Sequence, residues 1–197
     1  MGVFFCLFTY NFFVMNCFVK FNVTDSAQFK DLKNVFEAFK KAKSMCEPQK
    51  DIFWLNIFPD YALKHFSFLN SDIKPANHSL VLNEFTWHFY SLIELLSVNY
   101  EIEYVDCFKL SDNQGQLEYY PYSYPYGGIT GLIVFLKAFN CVPTLINDGT
   151  SLYAIDFLNN GDFSITDLND PKKQSSKQKL FDGLELLKQF ARNFAKS

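Results

Sequence analysis

The chain is short of the groups that usually announce chemistry. It has 197 residues but only three histidines, five cysteines and eight glycines. The cysteines are Cys6, Cys17, Cys46, Cys107 and Cys141, odd in number and without a CxxC pair. That excludes the common zinc spacings and argues against a disulfide framework. Buried, reduced thiols in a cytoplasmic protein are the expectation. With His65, His78 and His88 as the only histidines, no complete metal ligand set can be proposed. Glu84 and His88 stand at i, i+4, where two side chains can meet, and read as a surface or core-rim pair.

The signature motifs are missing too. No G-x-G-x-x-G or G-x-x-x-x-G-K-[ST] run exists, so Gly127-Gly128 reads as a tight strand-to-helix turn rather than a phosphate cradle. Lys137 lies too far along the following helix to serve as a phosphate lysine. There is no G-x-S-x-G elbow, and no cysteine has a catalytic context. Asp156, Asn159, Asn160, Asp162, Asp167 and Asp170 make an oxygen-rich stretch. It lacks the calcium-loop pattern with its closing glutamate, and turn chemistry accounts for the asparagines. No catalytic residue, metal or cofactor is expected.

Basic charge is also scarce. The net charge is -3, and Lys40-Lys41-Ala42-Lys43 is the only tight basic cluster. Nucleic-acid binders carry a basic domain or stripe, so no nucleic-acid partner is expected. That cluster falls at the end of a helix, where lysines favour the negative pole of the dipole. Two sequons, Asn22-Val23-Thr24 and Asn77-His78-Ser79, matter only in a secretory context.

What the chain has is aromatic mass: 24 Phe and 11 Tyr within 49% hydrophobic residues. That is enough for a real core. Codon bias in an AT-rich bacterial genome supplies the simplest origin for it. Residues 1–14 are apolar and uncharged, an N-terminal segment set apart from an α+β domain over residues 15–197. Three readings compete for the start of the chain. Residues 1–19 only just reach membrane-spanning length and contain Asn11 and Asn16. A signal peptide would want an early positive charge, and the first is Lys20. The third reading takes Met15 as an alternative start. A membrane association is expected only through residues 1–19, and otherwise a cytoplasmic protein.

Beyond the start, alternation of Cys17, Val19, Phe21 and Val23 predicts a strand over 16–23. Thr24-Asp25-Ser26 offers caps for a helix over 27–45, with Phe29, Leu32, Phe36 and Phe39 as its buried stripe. The apolar run 51–58 reads as a central strand. Pro59-Asp60 opens a short helix through about 68, and 70–77 is a polar loop. A helix spans 83–98 and a strand 100–110. After a turn-rich loop at 111–115, its hairpin partner follows over 117–124. A buried helix occupies 130–139. Asn147-Asp148-Gly149 and Asn159-Asn160-Gly161 then punctuate three apolar runs, which predicts a three-stranded meander with type I′ turns. Leu180, Leu184, Leu187, Ala191 and Phe194 line a closing helix after Asp170-Pro171. Strands and helices do not alternate in a βαβ rhythm. The fold class is therefore α+β, a largely antiparallel sheet packed with four to five helices.

The most unusual local sequence is Tyr119-Tyr120-Pro121-Tyr122-Ser123-Tyr124-Pro125-Tyr126. Proline removes ladder donors, so the run is an edge strand or an extended loop. Tyrosine offers wide amphipathic contact at low entropic cost. Tyr120, Tyr122, Tyr124 and Tyr126 are therefore the candidate binding residues, weighed against plain packing of alternate rings on the core. The functional expectation is a small, acidic, microbial, non-catalytic domain that binds a protein partner, of the immunity or partner-neutralising kind. The alternatives are an enzyme with a scattered site involving Tyr122, Tyr124, His78 or His88, and a membrane-tethered domain. No feature of the sequence specifies an oligomeric state.

Overall fold

A computed structural model describes residues 17–45, 49–75, 86–98, 102–122, 128–157 and 163–169. The chain starts its sheet in the middle. Strand β1 (Cys17–Val23) pairs antiparallel with β5 (Gln114–Pro121) on one side and β6 (Cys141–Asn147) on the other. Outside β5 lies β4 (Ile102–Ser111); outside β6 lie β7 (Leu152–Phe157) and then β8 (Phe163–Asp167). All pairings in this six-stranded sheet are antiparallel. The fold is α+β, as the patterning predicts.

One face of β1 (Cys17, Val19, Phe21 and Val23) is buried, as the period of two requires. Leu117 and Tyr119 on β5 and Ile102, Tyr104 and Cys107 on β4 continue that face. Gly115 sits within β5 because Phe21 fills its place: a Cβ there would lie 2.4 Å from the Phe21 ring.

Helix α1 (Ser26–Met45) starts where Asp25 accepts the Ala27 N–H at 2.7 Å. It buries Phe29, Leu32, Val35, Phe36 and Phe39. Helix α5 (Gly128–Ala138) is buried on nearly all sides through Leu132, Ile133, Phe135 and Leu136. It ends at Asn140, which takes the left-handed φ of 54° common after a helix C-terminus.

Residues 51–58 correct the expected strand. They form helix α2 (Asp51–Ile57), with Phe58 extended in front of Pro59. Trp54 and Phe58, four apart, are buried, while Ile52 and Phe53 are exposed. Their ring partners lie on one side: Trp54 on Phe39 at 4.7 Å, and Phe58 on Phe39, Phe89, Phe135 and Phe139 at 5.1 to 6.3 Å. A strand would have alternated burial along the run and left one of several large side chains facing water at every step. A short apolar run cannot separate the two by periodicity alone.

Helix α3 (Asp60–Leu63) is shorter than expected, and Pro59 precedes it as the cap. Phe66–Ser67 (β2) then pairs parallel with Trp87–His88 (β3). This pair delays helix α4 (Phe89–Ser97), which the pattern had placed from residue 83. His88 is its N-cap, accepting the Ser91 N–H through its side chain.

The β6–β7 connection is also longer than a type I′ turn. Asn147 faces Leu152, and Asp148, Gly149, Thr150 and Ser151 form the loop. The buried Asp148 carboxylate accepts the Thr150 N–H, the Thr150 hydroxyl and the Ser151 N–H at 2.7 to 2.9 Å. Of the two central residues expected to be left-handed, only Gly149 is, at φ 86°. The expected turn at 159–161, the closing helix and residues 1–14 lie outside the described residues. Among the described residues no helix is long and apolar enough to cross a membrane.

Two predictions follow from this packing. Phe58→Ala should cost about 3–5 kcal/mol, whereas Phe53→Ala on the solvent side of α2 should cost about 0.5 kcal/mol or less. Urea unfolding measures both, and equal losses would restore the strand reading. Gly115→Ala should cost about 1–3 kcal/mol by overpacking against Phe21, and Gly149→Ala about 1 kcal/mol through its positive φ. Unchanged urea midpoints for both would contradict this backbone.

Candidate functional site

The described part of the tyrosine segment, Tyr119 to Tyr122, lies at the end of β5. β5 is an interior strand only as far as Tyr119, which pairs with Cys17. Beyond that point its described partner is β4 alone, with Tyr120 facing Glu103 and Pro121 facing Ile102. Among the described residues Pro121 has no ladder partner on the β1 side, so its missing N–H breaks none of the described pairings there. The described part of the run, Tyr119 to Tyr122, is the end of β5 and the residue after it.

The alternation decides which rings can meet a partner. Tyr119 is fully buried, and its hydroxyl donates to the Asn147 carbonyl. Tyr120 is half-buried, and Tyr122 is 66% exposed. Tyr120 and Tyr122 are the more open of the described rings, and Tyr119 belongs to the core. Tyr124 and Tyr126 lie outside the described residues.

Tyr122 is held rather than loose. Its hydroxyl donates to the Glu103 carboxylate across the strand pair. That hydrogen bond, chiefly, raises the phenol above its ordinary pKa. Behind it runs a groove of about 260 Å³, lined by Lys40, Lys43 and Ser44 from α1, Ile102, Glu103 and Tyr104 from β4, and Tyr122.

The groove follows an outer strand of the sheet. Lys40 Nζ donates to the Val105 carbonyl at 2.6 Å, and Lys43 Nζ donates to the Ile102 carbonyl at 2.7 Å. Lys43 also lies 5.0 Å from the centroid of the Tyr104 ring, a cation–π distance. The Tyr104 hydroxyl donates to the Leu96 carbonyl at the far end of α4. Its phenol is pushed well above the usual range by burial. The basic cluster thus does more than complement the α1 dipole: two of its lysines bind the backbone of β4. These contacts span 59 and 65 residues of sequence, so no local pattern could have shown them.

The remaining sequence candidates are scattered. Glu84 and His78 lie outside the described residues. His88 is at the opposite end of α4 from the groove. Among the described residues no group of three or more His, Cys, Asp or Glu side chains could hold a metal ion.

The Glu103 contact predicts the titration of Tyr122. A folded-state pKa above the unfolded one means the contact contributes below the ordinary phenol range and is lost as pH rises through the folded value. NMR titration should place the Tyr122 ring later than free tyrosine, and Glu103→Gln should bring it back toward the ordinary value. An unmoved titration in Glu103→Gln would exclude the contact.

No family model, no curated protein and no solved structure matches this chain.

Proposed function

We propose that the protein is a binding domain that engages a protein partner through the surface around Tyr122, with Tyr120 at its border. The observation that carries this reading is the exposed Tyr122 ring, held by Glu103 on the rim of a groove. A large aromatic side chain already fixed by a hydrogen bond loses little further entropy when covered. Tyrosine is among the residues that dominate binding energy.

The lysines narrow the mode of binding. An outer strand invites strand addition by a partner. Lys40 and Lys43 cover two carbonyls of β4, which opposes such addition at that end. A partner would then be read through side chains: an aromatic or aliphatic group against Tyr122, and acceptor groups near the lysines. The partner-neutralising role remains a class of activity consistent with a small acidic domain.

The test is capture of a partner from the native host. A photo-crosslinking residue near position 122, with mass spectrometry, should identify one stoichiometric protein. Tyr122→Ala should then weaken its affinity by about 2 kcal/mol while the melting temperature stays within a degree or two. Undiminished affinity in Tyr122→Ala would remove this surface from the interface.

A further inference from the structure

The loop 69–75 meets the first turn of α4 through three side chains far apart in chemistry. Ser91 Oγ lies 2.9 Å from His88 Nδ1, and His88 Nε2 lies 2.7 Å from Asp72 Oδ2. Asp72 is itself positioned by the Leu69 N–H, which donates to the same carboxylate oxygen at 2.6 Å.

The proton positions follow from a neighbour. The Ser91 backbone N–H points at His88 Nδ1 from 3.3 Å. An amide N–H can only donate, so Nδ1 carries the lone pair and the neutral ring keeps its proton on Nε2. That proton faces Asp72. The Ser91 hydroxyl is left to donate to Nδ1. The order is hydroxyl to imidazole to carboxylate, each group oriented by the next.

Helix capping accounts for only part of this. A cap at position 88 needs one acceptor for the Ser91 N–H, and asparagine, aspartate or serine would supply it. It needs neither a hydroxyl on Ser91 nor a carboxylate on the far ring nitrogen. Those two additions are what nucleophilic catalysis requires: a base on the hydroxyl and an orienting group on the base.

We propose that Ser91, His88 and Asp72 form a hydrolytic site for small, uncharged or cationic carboxylic esters. This goes beyond the binding reading and lies on a different part of the surface. The His88 and Asp72 side chains retain 19% and 13% exposure, so a small substrate can reach them. Leu69 and Ile73 are exposed on the same loop, and offer apolar contact to an acyl chain. The carboxylates of Asp51 and Asp72 both act on the nearby Tyr90 phenol, which burial first, then these charges, push up to about 12. Such a field disfavours anionic substrates.

The steps balance without a further reagent. Ser91 Oγ attacks the ester carbonyl carbon as its proton passes to His88 Nδ1. The imidazolium is held through Nε2–H by Asp72. The bond to the alcohol oxygen breaks, and that oxygen takes the proton from Nδ1. Water then attacks the acyl carbon, giving one proton to Nδ1. The acid departs, and Ser91 Oγ recovers the proton.

A fluorophosphonate reporter and p-nitrophenyl butyrate test the site on the full chain. Wild type should be labelled at Ser91, located by peptide mass spectrometry, and should release p-nitrophenol. Ser91→Ala keeps the backbone N–H and the cap, and His88→Asn replaces one capping side chain by another. Both should keep a cooperative melt yet lose at least 100-fold in turnover, and Asp72→Asn at least 10-fold. An unlabelled wild type, label confined to other residues, or wild-type turnover in Ser91→Ala would each reduce the cluster to a helix cap and overturn the proposal. Labelling and ester turnover are read on the chain alone, without a protein partner, so failure here and failure of the binding surface are read separately.

Discussion

Phe58 is the ring on which the helical side of the molecule closes. It touches Phe39 of α1, Phe66 of β2, Phe89 of α4, and Phe135 and Phe139 at the end of α5. Most of these pairs meet edge to face, the arrangement the ring quadrupole prefers, each worth about 0.5–1.5 kcal/mol beyond its buried area. Elements distant in sequence thus share one joint. The conformation of α2 follows from it. A strand would set Ile52 on the same face as Trp54 and Phe58, yet Trp54 and Phe58 are buried against Phe39 while Ile52 is exposed, as a helical turn allows.

What the sequence made legible was whatever depended on near neighbours. Cys17, Val19, Phe21 and Val23 declare a strand because each side chain's environment repeats every second residue. Phe29, Leu32, Phe36 and Phe39 declare a helix for the corresponding reason. The run 51–58 did not declare itself, because almost every residue in it is apolar and its exposed Ile52 and Phe53 look like core residues. The start of α4 was hidden by a tertiary event, the pairing of Trp87–His88 with Phe66–Ser67. The Asp-Gly signal at 148–149 correctly marked a reversal. Its length was hidden, because Asp148 uses its carboxylate to cap Thr150 and Ser151 rather than adopting a left-handed backbone itself.

The candidate surfaces were legible only as residues, not as arrangements. Tyr122 stood out because Pro121 and the tyrosine spacing are unusual locally. Its fixing by Glu103 depends on the β4–β5 register, in which Glu103 faces Tyr120 and so lies diagonal to Tyr122. Lys40 and Lys43 looked like an ordinary basic helix end until β4 was placed beside α1. His88 read as half of a weak pair with Glu84; its described partners are Ser91, three residues on, and Asp72, sixteen residues back. Neither spacing matches a known signature.

Both surfaces are referred to the same rigid body. α4 buries Phe89, Leu92, Ile93 and Leu96, and its first buried ring, Phe89, is held directly by Phe58 and Phe66. His88 precedes that ring at one end of the helix, and Leu96 anchors the Tyr104 hydroxyl at the other. Eight residues of helix separate the two, roughly 12 Å. Tyr104 in turn floors the groove beneath Tyr122. A loss of packing at Phe58 would therefore disturb both ends of α4. A change at Tyr122 or Ser91, each on the periphery, would leave the joint intact. Surface residues can vary there without threatening the fold, because the aromatic joint beneath them supplies the order they need.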